Sequence, residues 1–371
     1  MRRAALAVAP LAVLAFAALA AAQDAAPVYQ QQQKKAFQFA GDALARYEWT
    51  RDIPGTGPVD EHRYFLQVRP RLELTMGPVD LGVGGAFNYS DDENDKPSGG
   101  QGTVTLIRDN YRSRDARLDL AYAKVKLGPV VAQGGRFFMP IPLTEMIWDR
   151  DLRPEGGALS LEFSAKSSPT RFALHGIYAT RSHVFEDQSV VYGGGAELKL
   201  AAGQDSSFQI VGSYLQFQDL DKLGVPIRRQ NTRVAGLVAN DYHVVDIVGR
   251  ISRGGQLPLQ LIGDYCWNAA VDANNRGLWL AAVLGDLGTS RARVEYTYAR
   301  VDKDATVAAF NTDDFLWGTG WEGHRADLAT GTVKSSSLHA IAQWQRFKDS
   351  PDPVVAEQWV KRYRLEWRTT F

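Results

Sequence analysis

Residues 359–371 constrain the fold more than any other stretch of this chain. Read alternately, Trp359, Tyr363, Leu365, Trp367, Thr369 and Phe371 fall on one side, interrupted once by Lys361. Arg362, Arg364, Glu366, Arg368 and Thr370 fall on the other. A strand has a period of two, so the segment carries one aromatic, apolar face and one charged face. In a soluble sandwich the aromatic face would be core. In a membrane barrel it would face lipid, and the arginines would face a wet lumen.

The same two-faced rhythm recurs upstream. Ala43, Ala45, Tyr47 and Trp49 oppose Asp42, Leu44, Arg46 and Glu48. Tyr64, Leu66, Val68, Leu72 and Leu74 oppose Gln67, Arg69, Arg71 and Glu73, with a bulge or bend expected at Pro70 because it lacks a ladder donor. Leu81, Val83, Gly85, Phe87 and Tyr89 oppose Asp80, Gly82, Gly84 and Asn88. Phe208, Ile210 and Tyr214, then Leu259, Leu261 and Tyr265, then Val294, Tyr296 and Tyr298 repeat it. A sandwich rarely needs so many strands charged on one face, with tyrosine and tryptophan so often at strand ends. Those aromatics suit the interfacial girdles of a barrel.

Connections alternate in length. Short turns fall at 77–78, 128–129, 166–169, 201–205, 253–258, 285–289 and 334–337. Longer ones fall at 50–62, 90–115, 139–156, 181–189, 219–241, 268–275, 302–323 and 348–358. One strand between successive connections gives an all-β chain. It is a transmembrane antiparallel barrel of about sixteen strands, fourteen to eighteen at the limits, with short periplasmic turns and long extracellular loops. The least regular segments are 242–252 and 325–333.

The chain opens Met1-Arg2-Arg3 and runs almost without polarity to Ala20-Ala21-Ala22. This reads as a secretory signal over residues 1–22 with a small-residue cleavage site, preferred to a membrane anchor because a polar segment follows. Residues 23–36 are a polar periplasmic stub too short for a plug domain, and 37–371 are the barrel. Losing Arg2 and Arg3 leaves a net charge near −2, which gives no reason to expect a nucleic-acid partner. Cys266 is the single cysteine, so the export route adds no intramolecular disulfide.

Two stretches carry a resemblance. The closing segment ending in Phe371 resembles the last strand and assembly signal of bacterial outer-membrane barrels, with Tyr363, Leu365, Trp367 and Phe371 as its side chains. Residues 134–157 read GGRFFMPIPLTEMIWDRDLRPEGG. Here a Gly-Arg strand end precedes a proline-broken loop, Trp148-Asp149-Arg150-Asp151 and Pro154-Glu155-Gly156. The stretch resembles a porin family of Gram-negative outer-membrane β-barrels and, more distantly, the phosphate-selective porins, whose polybasic loops are not evident here. The resemblance implies an outer-membrane porin admitting small hydrophilic solutes by passive diffusion. It also implies a constriction loop, 139–156, folded into the pore with Pro140, Pro142, Glu145, Trp148, Asp149, Arg150 and Asp151. The partners implied are outer-membrane lipids, the barrel-assembly machinery and the solutes, and a homotrimer is compatible with it. The residues agree that the loop packs inside: Met139, Ile141, Leu143, Met146, Ile147 and Trp148 are too apolar for a freely solvated loop. For the aspartates, capping of the loop's own backbone is an equal alternative.

Parity points Arg46, Arg69, Arg71, Arg136, Arg293, Arg362, Arg364 and Arg368 into the lumen, with Arg117, Arg171 and Arg250. Glu48, Glu73, Asp119, Glu162, Glu197, Asp264, Glu295 and Glu366 accompany them. Such charges pair across strands and also set a field on passing solutes. Arginine outnumbers carboxylate, so a modest anion preference is expected. Asp91, Glu93 and Asp95 lack a full calcium-loop pattern and read as a solvated acidic loop. The six histidines show no zinc spacing, GxSxG and HExxH do not occur, and no cofactor motif is present. A non-enzymatic channel is the leading reading. The alternatives are an outer-membrane lipase or protease and a structural or adhesive barrel.

Overall fold

The computed structural model describes residues 36–53, 59–90, 115–164, 170–182, 189–203, 205–222, 231–288, 291–312, 314–332, 335–348 and 356–371. The expected export signal, nearly all of the expected polar stub and the acidic run Asp91, Glu93 and Asp95 lie outside the described residues. The strands are β1 (Ala36–Ile53), β2 (Val59–Met76), β3 (Val79–Ser90), β4 (Asp115–Leu127), β5 (Val130–Arg136) and β6 (Pro154–Ser164). They continue as β7 (Arg171–Ser182), β8 (Val190–Ala201), β9 (Ser206–Gln218), β10 (Arg233–Val234), β11 (Leu237–Val238) and β12 (Tyr242–Arg253). The last are β13 (Leu259–Asn268), β14 (Arg276–Asp286), β15 (Ala292–Val301), β16 (Trp321–Gly331), β17 (Ser336–Phe347) and β18 (Val360–Thr370).

Sixteen of these strands close an antiparallel barrel, and β10 with β11 form a separate small hairpin. Each barrel strand pairs with its sequence neighbours, β9 reaches β12 past the hairpin, and β1 pairs with β18. This is a transmembrane barrel with short turns at one rim and long connections at the other. Closure puts Arg46 opposite Glu366 and Glu48 opposite Arg364, as strand parity requires.

The outer wall is apolar because every second residue of each strand turns outward. Phe39, Tyr64, Leu66, Phe87, Tyr296 and Leu365 are exposed there, forming the outward apolar band of a transmembrane barrel. Phe371 continues the ladder past β18. Its amide donates to the Gly41 carbonyl at 3.0 Å, its carbonyl accepts from the Gly41 amide at 2.8 Å, and its ring lies 5.6 Å from that of Phe39. A side chain on Gly41 would strike the Phe371 ring, a Cβ there lying 2.5 Å from it, so glycine makes room for the closing aromatic.

Local details differ from the sequence expectation. The connection expected over 50–62 shrinks to 54–58, since β1 and β2 run on to Ile53 and back from Val59, with a register shift between Thr50 and Ile53. Register passes through Pro70 unchanged. The shift falls one strand away, between Gly84 and Gly85, where Asp119 is the extra residue of β4. The expected loop 139–156 ends earlier, because Pro154, Glu155 and Gly156 pair with β7 as the start of β6. β16 begins at Trp321, ahead of 325.

The irregular alternation of 242–252 has a physical cause. Tyr242, Val244 and Val248 are fully buried on the lumen side of β12, while Ile247 and Ile251 face out, so both faces are apolar. The lumen wall along β9, β12 and β14 presents Val211, Leu215, Phe217 and Trp279 to the same buried cluster. One side of this barrel is therefore greasy inside, and something has to cover it.

Candidate functional site

Two connections cover it. L3 (residues 137–153, between β5 and β6) crosses the lumen, and L7 (residues 302–320, between β15 and β16) folds in to meet it. Ile141, Met146, Ile147, Trp148 and Leu152 of L3 and Val307, Phe310, Phe315, Leu316 and Trp317 of L7 all belong to the buried cluster. Burying a side chain of this size contributes about 1.5–3 kcal/mol, which is why these residues leave the rim.

L3 is seated on the wall step by step. Ile141 lies over Gly195 of β8, where an added Cβ would meet it at 3.0 Å. Arg250 of β12 donates to the carbonyls of Pro142 at 3.0 Å and Leu143 at 3.3 Å. Thr144 donates to Asp264 of β13. Met146 occupies a dent at Gly277 of β14, where a Cβ would lie 2.8 Å from its sulfur. The loop then turns back. Its Asp151 pairs with Arg69 of β2, and Arg153 reaches the bulge residue Asp119 at 3.4 Å.

The aspartates divide between the two roles expected of them. Asp149 accepts from the Asp151 amide at 2.8 Å and so caps its own turn, whereas Asp151 bridges to the wall. Burial alone would raise the Asp151 carboxyl, but Arg69, with Arg150 and Arg153, outweighs it and holds it well below the usual carboxylate range. Trp148 is not on the pore surface. It is sandwiched between the loops, its ring 5.2 Å from Phe310 and its indole N–H donating to the Leu152 carbonyl at 3.1 Å.

L7 is held at its start. Asp304 accepts from the Tyr242 hydroxyl at 2.6 Å, and Asn231 donates to the carbonyls of Lys303 and Thr306 at 2.9 Å. At its tip, Asp314 is the point on which guanidiniums converge: Arg46 at 2.9 Å, Arg364 at 3.1 Å and Arg150 at 3.3 Å. Burial alone would raise the Asp314 carboxyl, but Arg46, Arg364 and Arg150 outweigh it and hold it far below its ordinary value. Glu145 beside Arg150, with Asp314, holds that guanidinium above the usual arginine value.

The expected lumen positions sort into three places. Arg46, Arg69, Arg150 and Arg368 line a cavity of about 980 Å³ that runs to the short turns around Gly288 and Thr332. Arg150, Arg293, Glu295, Arg364 and Arg368 surround a smaller one of about 50 Å³, and Arg71 borders a third of about 120 Å³ with Arg150 and Asp151. Other residues serve the wall. Arg71 pairs with Glu73 at 3.1 Å, Arg136 with Glu155 at 2.6 Å and Glu162 with Arg171 at 3.4 Å. Pro140 and Pro142 border a separate cavity of about 410 Å³ with Arg171, Glu197 and Lys199. Arg362 does not reach open lumen. It is fully buried beneath L7, over the Trp317 ring at 4.6 Å and donating to the Phe315 carbonyl at 3.1 Å.

Sequence reasoning placed a long connection at 302–323 but did not see that it folds inward, and so missed Asp314 and the clamp residue Asn231. A signal was present. The runs Val307-Ala308-Ala309-Phe310 and Phe315-Leu316-Trp317 are as apolar for a loop as the run that marked L3.

A closed sixteen-stranded transmembrane barrel with two loops folded into a charged lumen defines a porin-type fold. No family model matches the sequence, and no curated relative is found for it. Solved structures agree on the fold. OprB of Pseudomonas putida at high pH superposes with a TM-score of 0.60 at 12% identity, over 91% of this chain and 94% of that one. OmpF of Salmonella typhi, in complex with daunomycin, gives 0.53 at 12% identity over 93% and 99%. At such identities the likeness is one of fold alone.

Proposed function

We propose that this chain is a Gram-negative outer-membrane porin through which small hydrophilic solutes or ions pass by diffusion. The observation that carries this reading is the set of three cavities sharing Arg150 as a wall, all lined by charged side chains. They follow the polar side of the lumen, past β1, β2 and β15 to β18, while L3 and L7 fill the apolar side. A pore bordered by fixed charges of both signs passes hydrated solutes with little selectivity. The excess of arginine around the cavity of about 980 Å³, Arg46, Arg69, Arg150, Arg291 and Arg368 against Asp42, Asp151 and Asp314, supports a modest anion preference.

In this reading residues 1–22 are the export signal, 23–36 the periplasmic stub and 139–153 the constriction loop. Outer-membrane lipid covers the apolar wall, the assembly machinery reads Tyr363, Leu365, Trp367 and Phe371, and a homotrimer is the assembly. The likeness of residues 134–157 to a Gram-negative porin family supports it, and phosphate selectivity is no part of the proposal. Planar-bilayer recording of the purified protein tests it: discrete conductance steps are expected, and their absence defeats the proposal.

One observation favours an enzyme instead. Ser337 Oγ lies 2.9 Å from His339 Nε2, His339 Nδ1 lies 3.0 Å from Asp327, and Ser337 borders the large cavity. This is the order of a nucleophile, base and orienting acid. Ester hydrolysis by the purified protein that Ser337→Ala abolishes would establish that reading, and labelling of Ser337 by a fluorophosphonate would locate it.

A further inference from the structure

Asp314 belongs to a loop, yet three arginines from separate parts of the molecule meet on it. Arg46 comes from β1, Arg364 from β18 and Arg150 from L3, at 2.9, 3.1 and 3.3 Å from its carboxylate oxygens. Each arginine also keeps a carboxylate it does not share with the other two at this distance: Glu366 at 2.7 Å for Arg46, Glu48 for Arg364 and Glu145 at 3.2 Å for Arg150. Among the described residues, Asp314 is the carboxylate common to all three. A wall charge pattern needs no such shared partner, because cross-strand pairs already neutralise Arg46 and Arg364, and Glu145 of the same loop neutralises Arg150.

The shared position also opens outward. Arg46, Arg150 and Asp314 border the cavity of about 980 Å³, which is wide enough for a small organic solute and carries the hydroxyls of Ser336, Ser337 and Thr369. Guanidinium groups match the planar fork of a carboxylate in particular. We propose that this cluster is a receptor for small carboxylate-bearing solutes, and that Asp314 is an internal occupant which a permeating carboxylate displaces. The proposal rests on the diffusion reading above and names the solute class for it.

Displacement has a thermodynamic signature. A site filled by its own side chain binds external ligand with an affinity reduced by the fraction of time it stands empty. Asp314→Asn keeps the shape of the residue and removes its claim on the guanidiniums, and each arginine still has its other acid. Titration calorimetry on the folded protein in detergent, with succinate as probe, should show binding about tenfold tighter in Asp314→Asn than in the native chain. Succinamide should give no heat, and sulfate, of equal charge, should gain less than succinate. Arg150→Gln added to Asp314→Asn should cancel the gain.

Equal succinate affinity in the two proteins, or no binding in either, overturns the receptor. So does a gain for sulfate as large as for succinate, which would reflect charge alone. If Asp314→Asn yields no heat-modifiable barrel, the native chain is compared with Arg150→Gln, whose side chain is half exposed. Weaker succinate binding in that variant supports the receptor, and unchanged binding overturns it. Conductance is recorded on the same preparations. A conducting channel that ignores succinate defeats the receptor and leaves diffusion standing, whereas binding without conductance defeats diffusion alone.

Discussion

The amide of Asp149 in L3 donates to the carbonyl of Phe310 in L7 at 2.7 Å, and the reverse link runs from the Thr312 amide to the Glu145 carbonyl at 2.8 Å. Two loops that start on opposite sides of the barrel thus pair backbone to backbone in its centre, with Trp148 and Phe310 stacked between them. Buried backbone groups need partners, and each loop supplies them for the other. The loops should therefore loosen together.

That coupling gives the first prediction. Trp148→Ala removes a buried indole between the loops and should cost about 3–5 kcal/mol of local stability. Hydrogen exchange should then speed up at the Thr312 amide of L7 as well as at Asp149. Acceleration confined to L3 would refute the coupling. Deleting residues 144–151 should raise single-channel conductance with the barrel still folded, and an unchanged conductance would place the loop outside the conducting path.

Most of the barrel was legible in the sequence because lipid and lumen impose opposite demands on alternate residues, as Tyr64 against Arg63 or Leu365 against Arg364 illustrates. Alternation fades where the lumen itself is apolar, so β12 read as a poor strand although it pairs with β9 along its whole length and with β13 from Val244 on. That L3 needs a surface to pack on was legible from its apolar run. What it packs on was not, because the dents at Gly195 and Gly277 come from residues distant in sequence. Barrel closure alone brings Arg46 and Arg364 to one part of the wall, but the clamp on Asp314 was hidden because that residue arrives from L7, whose fold no strand pattern shows.

The closing contact gives the second prediction. Deleting Phe371 removes two ladder hydrogen bonds and an aromatic contact with Phe39, and should lower the yield of heat-modifiable protein in the outer membrane. Gly41→Val should do the same by displacing the Phe371 ring. Normal yield of both variants would show that closure does not depend on this residue.

Acid titration supplies the third. A carboxylate held below its unfolded value stabilises the fold fully above that value, about 4, and loses the contribution only as pH falls through the lower, folded value. Asp314 and Asp151 are both held low by their arginines. Conductance should therefore stay flat from pH 7 down to about 4, with loop release confined to more acidic solution. Release with a midpoint near the ordinary carboxylate value would mean that these pairs do not hold the loops.

Selectivity separates two arginines that strand reading treated alike. Arg136 lies flat against the wall, held by Glu155 at 2.6 Å and by the Leu118 carbonyl. Arg150 borders all three charged cavities, and its side chain is 51% exposed, so a solute passing through them meets it. Arginine stays charged at any working pH, since its pKa exceeds about 12. At roughly 0.1 M salt the screening length is about 10 Å, which spares charges at a narrow point and mutes those farther off. A modest anion preference is expected at low salt, read as the reversal potential across a salt gradient, and it should fade at high salt. Arg150→Glu should move that potential strongly toward cations, and Arg136→Glu should move it little. Clear cation selectivity of the native protein at low salt would sink the preference. A larger effect at Arg136 than at Arg150 would mean that ions pass on the other side of L3, by the cavity between Pro142 and Lys199.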